Sequence, residues 1–181
     1  MNRFKVILTS PIETLLGTMM AGAVDEGICL LEFSDRRMLN SEYRDLKKYL
    51  GTEITEGENS HTAMLRIQID EYFKGTRQVF DLQLIIPGTI FQQLVWNELL
   101  SIPYGTTRTY QEQADALGKP EAIRAVASAN GMNRIAIIIP CHRVIGSDGS
   151  LTGYGGGLKR KRWLLDHEKR HSGQAFDQSL F

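Results

Sequence analysis

The chain has 181 residues, 42% hydrophobic and 23% charged, which excludes a disordered or fibrous protein and suits one domain or two small ones with a self-sufficient core. Its 21 basic and 21 acidic side chains cancel, so no global charge draws it to a polyanion. The two cysteines, Cys29 and Cys141, give neither a paired zinc spacing nor a disulfide framework, and a reducing, cytoplasmic setting is expected. The opening "MNRFKVILTS" is too short an apolar stretch for a signal peptide, and no run approaches the roughly 18 apolar residues of a membrane span.

In chain order, "KVIL", "GTMMAGAV" and "GICLLEF", separated by Pro11, Gly17, Gly22 and Gly27, predict an antiparallel meander. A helix is expected over "SEYRDLKKYLG", closed by Gly51. A second is expected over "HTAMLRIQIDEYFKG", closed by Gly75, with Met64, Leu65, Ile69 and Tyr72 on its apolar face. "VFDLQLII" reads as a strand leading to Pro87-Gly88. That dipeptide is the predicted domain boundary and coincides with a change of charge. Residues 1–88 hold 10 basic against 13 acidic side chains, residues 89–170 hold 11 against 7, and the stretch from His171 holds a single Asp. The positive second half permits attraction to nucleic acid without requiring it.

"TIFQQLVWNELLSIPYG" predicts a helix with Phe91, Leu94, Val95, Leu99 and Ile102 inward. "TYQEQADALG" and "EAIRAVASANG", joined across "KP" with Pro120 at a first helical position, outline a helix-turn-helix. Helical hairpins without nucleic acid share that outline. An extended run "IAIIIPCHRVI", a glycine loop "GSDGSLTGYGGG" and a basic helix "LKRKRWLLDHEKR" complete the pattern, and "HSGQAFDQSLF" carries no readable signal.

Cys141 admits two readings. A lone cysteine after an apolar run is usually a small core residue, but His142 and Arg143 beside it can supply the proton acceptor or positive field that activates a thiol. Adjacent side chains on a strand point to opposite faces, so a working Cys141–His142 pair needs a turn or a bridging water. A Cys-His hydrolase and a helix-turn-helix regulator remain open on these residues alone. Lys159, Arg160, Lys161 and Arg162 read as a solvated helix face with a phosphate contact from one or two of them.

"PCHRVIG", followed by "TGYGGG" and "KRWLLDHE" and preceded in register by "RTYQEQADALG" and "RAVASANGMN", resembles the O6-alkylguanine-DNA alkyltransferases, closely from Phe91 to Glu168. The resemblance implies an α+β fold. It comprises an RNase H-like N-terminal unit over residues 1–86, with a small antiparallel sheet and helices, a mostly helical, winged helix-turn-helix-like catalytic unit over 87–170, and a tail over 171–181. It implies a monomer that meets double-stranded DNA carrying alkylated bases, with no membrane, cofactor or metal, since only Cys29 and His61 offer ligands in the first half. Cys141 would accept the alkyl group, its proton passing through a water to His142 held by Glu168. Tyr110 would bond the extruded base, and Asn133 would join the recognition helix to the active-site strand. Arg124 would fill the emptied stack, with Ala125 and Ser128 letting the helix approach the minor groove. Tyr154, Gly155 and Gly156 would wall the guanine pocket, which these glycines and Ala136 would make roomy enough for benzyl groups. Arg134 stands where many relatives have proline and is expected to add a phosphate contact. Relatives that lack the cysteine bind lesions without repairing them.

Overall fold

The computed structural model describes residues 6–173; the opening five residues and most of the expected tail, from residue 174 on, lie outside the described residues. The first half is built on a four-stranded sheet of order β3-β2-β1-β4. Strands β1 (Ile7–Ile12), β2 (Met19–Val24) and β3 (Gly27–Phe33) form the expected antiparallel meander. The sequence reading missed β4 (Ile54–Glu56), which pairs in parallel with β1. Three residues with one apolar side chain leave too little alternation to recognise. Helices α1 (Leu39–Leu50) and α2 (Ser60–Phe73) flank the sheet. Leu65, Ile69 and Tyr72 of α2 are buried as expected, but Met64 is half exposed, its place inward taken by Thr62 and Gln68.

The second half opens with α3 (Ile90–Leu99), whose Thr89 and Gln92 form a reciprocal cap. Val95, Trp96 and Leu99 are inward, while Leu94 is half exposed. A short strand β5 (Arg108–Thr109) leads into α4 (Tyr110–Ala116), again capped reciprocally by Thr109 and Glu112. Gly118, with a φ of 66°, lets the chain reverse into a 3₁₀ turn that starts at Pro120, and α5 (Ile123–Gly131) follows. A buried pair in which Asn130 Nδ2 donates to Gln113 Oε1 at 2.7 Å ties α5 to α4, and Trp96 Nε1 donating to Ala129 O at 2.7 Å ties α5 to α3. Strand β6 (Val144–Ile145) pairs in parallel with β5, and α6 (Leu158–His171) closes the fold.

Two stretches predicted as strands are not strands. "VFDLQLII" makes one bridge, Leu84 to Ile28, and "IAIIIP" makes one, Ile135 to Leu31. Both use the free edge of β3, where Ile85 N donates to Ile28 O and Ala136 N to Leu31 O, each at 2.8 Å. Residues 136–139 then turn, with Ile137 at a φ of 72°, a left-handed conformation that costs a β-branched residue about 1–2 kcal/mol. One continuous buried cluster runs from Ile12, Phe33, Leu65 and Tyr72 to Trp96, Val126, Ile139 and Leu164. It spans both sides of Pro87-Gly88, so the two halves share apolar packing.

Arg134 belongs to this junction and corrects an expectation. Only 5% exposed, it donates to Pro87 O and Asp45 Oδ2, both at 2.9 Å, with its guanidinium 5.6 Å from the ring centres of Tyr49 and Trp96. Its contacts are with protein groups of this junction, and its side chain is almost wholly withdrawn from solvent. Replacing it with Ala should cost about 1–3 kcal/mol of stability by denaturant unfolding. The salt dependence of DNA affinity should not move, whereas a phosphate-contacting arginine would lower that slope by about one.

Candidate active site

Cys141 opens a 3₁₀ turn that runs to Arg143. The turn, not a strand, supplies the change of direction that a Cys141–His142 pair requires. Asn133 fixes the approach. Its Nδ2 donates to Ile139 O at 2.8 Å and to Cys141 Sγ at 3.2 Å, and its Oδ1 accepts from Ile135 N at 3.0 Å. One side chain therefore curls the isoleucine run and holds the sulfur.

Behind the sulfur, His142 and Glu168 are both fully buried, with His142 Nε2 2.7 Å from Glu168 Oε1. Tyr72 OH donates to the same oxygen at 2.9 Å, as does an Arg143 terminal nitrogen at 3.0 Å. Arg143 Nε at 2.8 Å and Gly105 N at 3.1 Å donate to Oε2. Burial would push the Glu168 carboxyl up, but His142 and Arg143 together outweigh it and hold the group well below the usual carboxylate range. Glu168 is thus ionised, and Nε2 carries the proton that it accepts. Burial lowers the His142 pKa below its ordinary value, against the pull of Glu168, so the imidazole is neutral at pH 7. Its Nδ1 has no hydrogen-bond partner among the described residues and is the free acceptor of the pair. The expectation that Glu168 joins His142 was legible only from family resemblance, because taken alone it reads as a surface ion pair.

The glycine loop, residues 146–157, is tied down by side chains of α4 and α6. Tyr110 OH donates to Thr152 O at 3.1 Å and Gly153 O at 3.2 Å. Lys161, fully buried rather than solvated, donates to Val144 O at 2.5 Å and Thr152 O at 2.6 Å. Burial brings its pKa down to about 8. Arg160 is likewise committed, to Leu16 O and Asp35. Two of the four cations read as a solvated face are therefore structural ties. Tyr154 sets its ring edge-on to His142 at 6.5 Å.

Gly155 and Gly156 do not open room. A Cβ at 155 would lie 2.4 Å from Arg36, and one at 156 would lie 2.8 Å from Phe33 and from Tyr154. These glycines let the loop lie against the first half, and the roomy wall expected of them is not present in this arrangement. Ala136 is buried. Cavities of about 640 Å³ beside Ile12 and Phe73 and about 380 Å³ beside Tyr104 and Arg143 do not include Cys141 in their lining, and Cys141 is 7% exposed.

Arg124, Ala125 and Ser128 share the exposed face of α5. Sequence reasoning missed Arg36. Buried between Glu32 and Glu42, it donates to Gly131 O at 2.6 Å and Asn133 O at 3.3 Å, tying the end of α5 to the first half. Its two acidic partners are local, but no local signal marks the link, since the two carbonyls it reaches lie 95 and 97 residues away.

Residues 90–170 match the family model described as the DNA-binding domain of 6-O-methylguanine DNA methyltransferase. Helix-turn-helix, loop and a buried His142–Glu168 pair next to Cys141 in the chain fit a protein of that class. A methylated-DNA–protein-cysteine methyltransferase of Mycobacterium tuberculosis is 61% identical over 102 residues, covering 56% of this chain and 62% of that relative's length. The one of Mycolicibacterium paratuberculosis is 46% identical over 156 residues, covering 82% of this chain and 92% of that protein. The crystal structure of M. tuberculosis O6-methylguanine methyltransferase superposes with a TM-score of 0.79 at 40% identity, over 93% of this chain and 96% of that one. The complex of the M. tuberculosis protein with DNA gives 0.78 at 40% identity, over 92% and 94%. The chain belongs to the methylated-DNA–protein-cysteine methyltransferase family.

Burial pushes the Cys141 thiol up to about 11, against the pull of the Asn133 amide. Alkylation of Cys141 by iodoacetamide, read by peptide mass, should therefore climb about tenfold per pH unit up to at least pH 9. A plateau below pH 8 would show a preformed thiolate instead.

Proposed function

We propose that this protein repairs O6-alkylguanine in double-stranded DNA, and O4-alkylthymine by the same chemistry, by moving the alkyl group once onto Cys141. The observation that carries the reading is the buried His142–Glu168 pair next to Cys141 in one 3₁₀ turn, in which Nε2 of the histidine is tied to an ionised carboxylate and Nδ1 has no partner among the described residues. Sγ attacks the alkyl carbon from the side opposite O6. The S–C bond forms as the C–O6 bond breaks, and the bonding pair leaves with the base. The thiol proton passes to His142 Nδ1, directly or through one water, and is returned to the leaving guanine, so that thiol and alkylguanine become thioether and guanine. A thioether does not hydrolyse, and each molecule acts once.

The reading also accounts for the high thiol pKa. A sulfur that stays protonated until a base is seated is spared from other electrophiles, and the proton is withdrawn only when the displacement needs it. Because Cys141 is 7% exposed, the base enters once the loop lifts. Tyr110 then exchanges its loop carbonyls for the edge of the base, with Tyr154 along the alkyl group. A paired guanine cannot reach this depth, so the nucleotide is extruded at a cost of a few kcal/mol, part of which Arg124 offsets by filling the stack. Ala125 and Ser128 keep that face of α5 low enough for a minor-groove approach. Within this reading the protein works as a monomer in the cytoplasm, without cofactor or metal. Among the described residues no helix is long and apolar enough to cross a membrane. The presence of Cys141 separates it from lesion binders that lack the acceptor.

Incubation with duplex DNA containing O6-methylguanine should add one methyl group per protein molecule by intact mass, mapped to Cys141 and lost in Cys141→Ala. A protein that consumes many equivalents, or is left unmodified, removes the reading. Arg124→Ala should slow transfer from duplex DNA by roughly tenfold or more while leaving reaction with the free base O6-methylguanine within about twofold, because only the duplex requires extrusion.

A further inference from the structure

Glu168 takes one of its donors from a residue that family resemblance does not mark and that sequence periodicity assigns to the core. Tyr72 comes from α2, on the far side of the domain boundary and 96 residues from its partner, yet its hydroxyl lies 2.9 Å from the same carboxylate oxygen that binds His142. The ring is clamped. It meets Tyr104 edge-on at 6.1 Å and Phe80 at 5.7 Å, and its backbone carbonyl lies 2.7 Å from His167 Nε2 on the helix that carries Glu168. The residue is fully buried. A hydroxyl is not needed to fill that space, since phenylalanine has nearly the same shape.

We infer that Tyr72 is a positioning residue for the transfer reaction: by donating to Oε1 it withdraws charge from the oxygen that supports His142, and so sets how readily the histidine takes the thiol proton. The inference rests on the assignment of Cys141 as acceptor and His142 as its base. Hydrogen bonding to the charged form of a carboxylate spreads its charge and weakens its hold on a neighbouring cation. Burial and the Glu168 carboxylate keep the Tyr72 hydroxyl protonated far above pH 10, so it remains a donor wherever the protein is folded. The other charged or titratable groups facing His142 and Glu168 are Arg143 on the turn, Tyr104 before β5, Tyr154 of the glycine loop, and Lys161 and His167 on α6. The Lys161 pKa of about 8 lies above the range in which the histidine titrates. The first half of the chain would thereby act on the Glu168 carboxylate through the Tyr72 hydroxyl.

The test measures the rate of methyl transfer from O6-methylguanine duplex DNA against pH, using the full chain, Tyr72→Phe, and protein carrying 3-fluorotyrosine at position 72. The acidic limb reports the pH below which His142 is protonated and cannot accept. Tyr72→Phe leaves Oε1 more basic toward the imidazole and should move that limb upward by about half a pH unit or more. Fluorination makes the phenol a stronger donor and should move it downward. A purely structural hydroxyl would alter stability without shifting the limb in opposite directions. Coincident limbs in all three proteins, with Cys141 still alkylated, overturn the role of Tyr72 alone. Methyl transfer to a residue other than Cys141 overturns the acceptor assignment and the inference with it. If Tyr72→Phe fails to fold, the fluorotyrosine protein decides, a downward shift supporting the role and an unmoved limb refuting it.

Discussion

An ionised carboxylate with no exposure to water sits at the centre of this molecule, and the rest of the structure is arranged to make that tolerable. Removing such a charge from solvent costs several kcal/mol unless its lone pairs are met. Glu168 meets Tyr72, Gly105, His142 and both a secondary and a terminal nitrogen of Arg143. These donors come from α2, from the turn before β5 and from the 3₁₀ turn that follows Pro140, while the acceptor rides on α6. Elements that meet nowhere else in sequence are therefore brought to one point by one charge. The same geometry that satisfies the carboxylate selects the histidine tautomer with a free Nδ1, so folding energy and chemical readiness have a common source.

Cys141 shows the complementary strategy. A nucleophile held as a thiolate would need a strong local positive field. Here Arg36 and Lys161 contribute to that field from a distance, Glu32 opposes them, and burial dominates. The one direct donor is the neutral amide of Asn133. That amide also accepts from Ile135 and donates to Ile139, so the strain at Ile137 is over-determined by the contacts around it, as strained residues beside reactive groups generally are.

Much of this was legible in the residues, and the misses have specific causes. The meander, the capped helices and the turn at Pro120 follow from local chemistry: alternation, a Thr three residues before Gln or Glu, and a proline where an amide is not needed. The isoleucine run misled because β-branched residues favour strands, yet a single buried asparagine competes for the backbone and curls the segment. Arg134 and Lys161 look like surface cations because charge alone does not reveal that a carbonyl or an aromatic ring waits across the junction. Tyr72 was placed correctly on the inward face of its helix, but no periodicity distinguishes a tyrosine that fills space from one that also donates.

The charge asymmetry between the two halves changes meaning once these cations are located. In the second half, Arg134 and Arg143 bond to backbone carbonyls and carboxylates inside the fold, Lys161 to carbonyls, and Arg160 to Asp35 and Leu16. The net positive excess of that half is thus largely spent internally, and the exposed face of α5 presents one arginine among small residues. Long-range attraction scales with exposed charge, so little of the excess is available to draw a duplex in. On the proposed reading, recognition by this face comes from close fit and from the ease with which a base leaves its stack. A damaged base that pairs poorly is cheaper to extrude than a sound one. Weak general attraction combined with a demanding extrusion step suits a protein with one acceptor sulfur, because sequestering that sulfur on undamaged DNA would waste it.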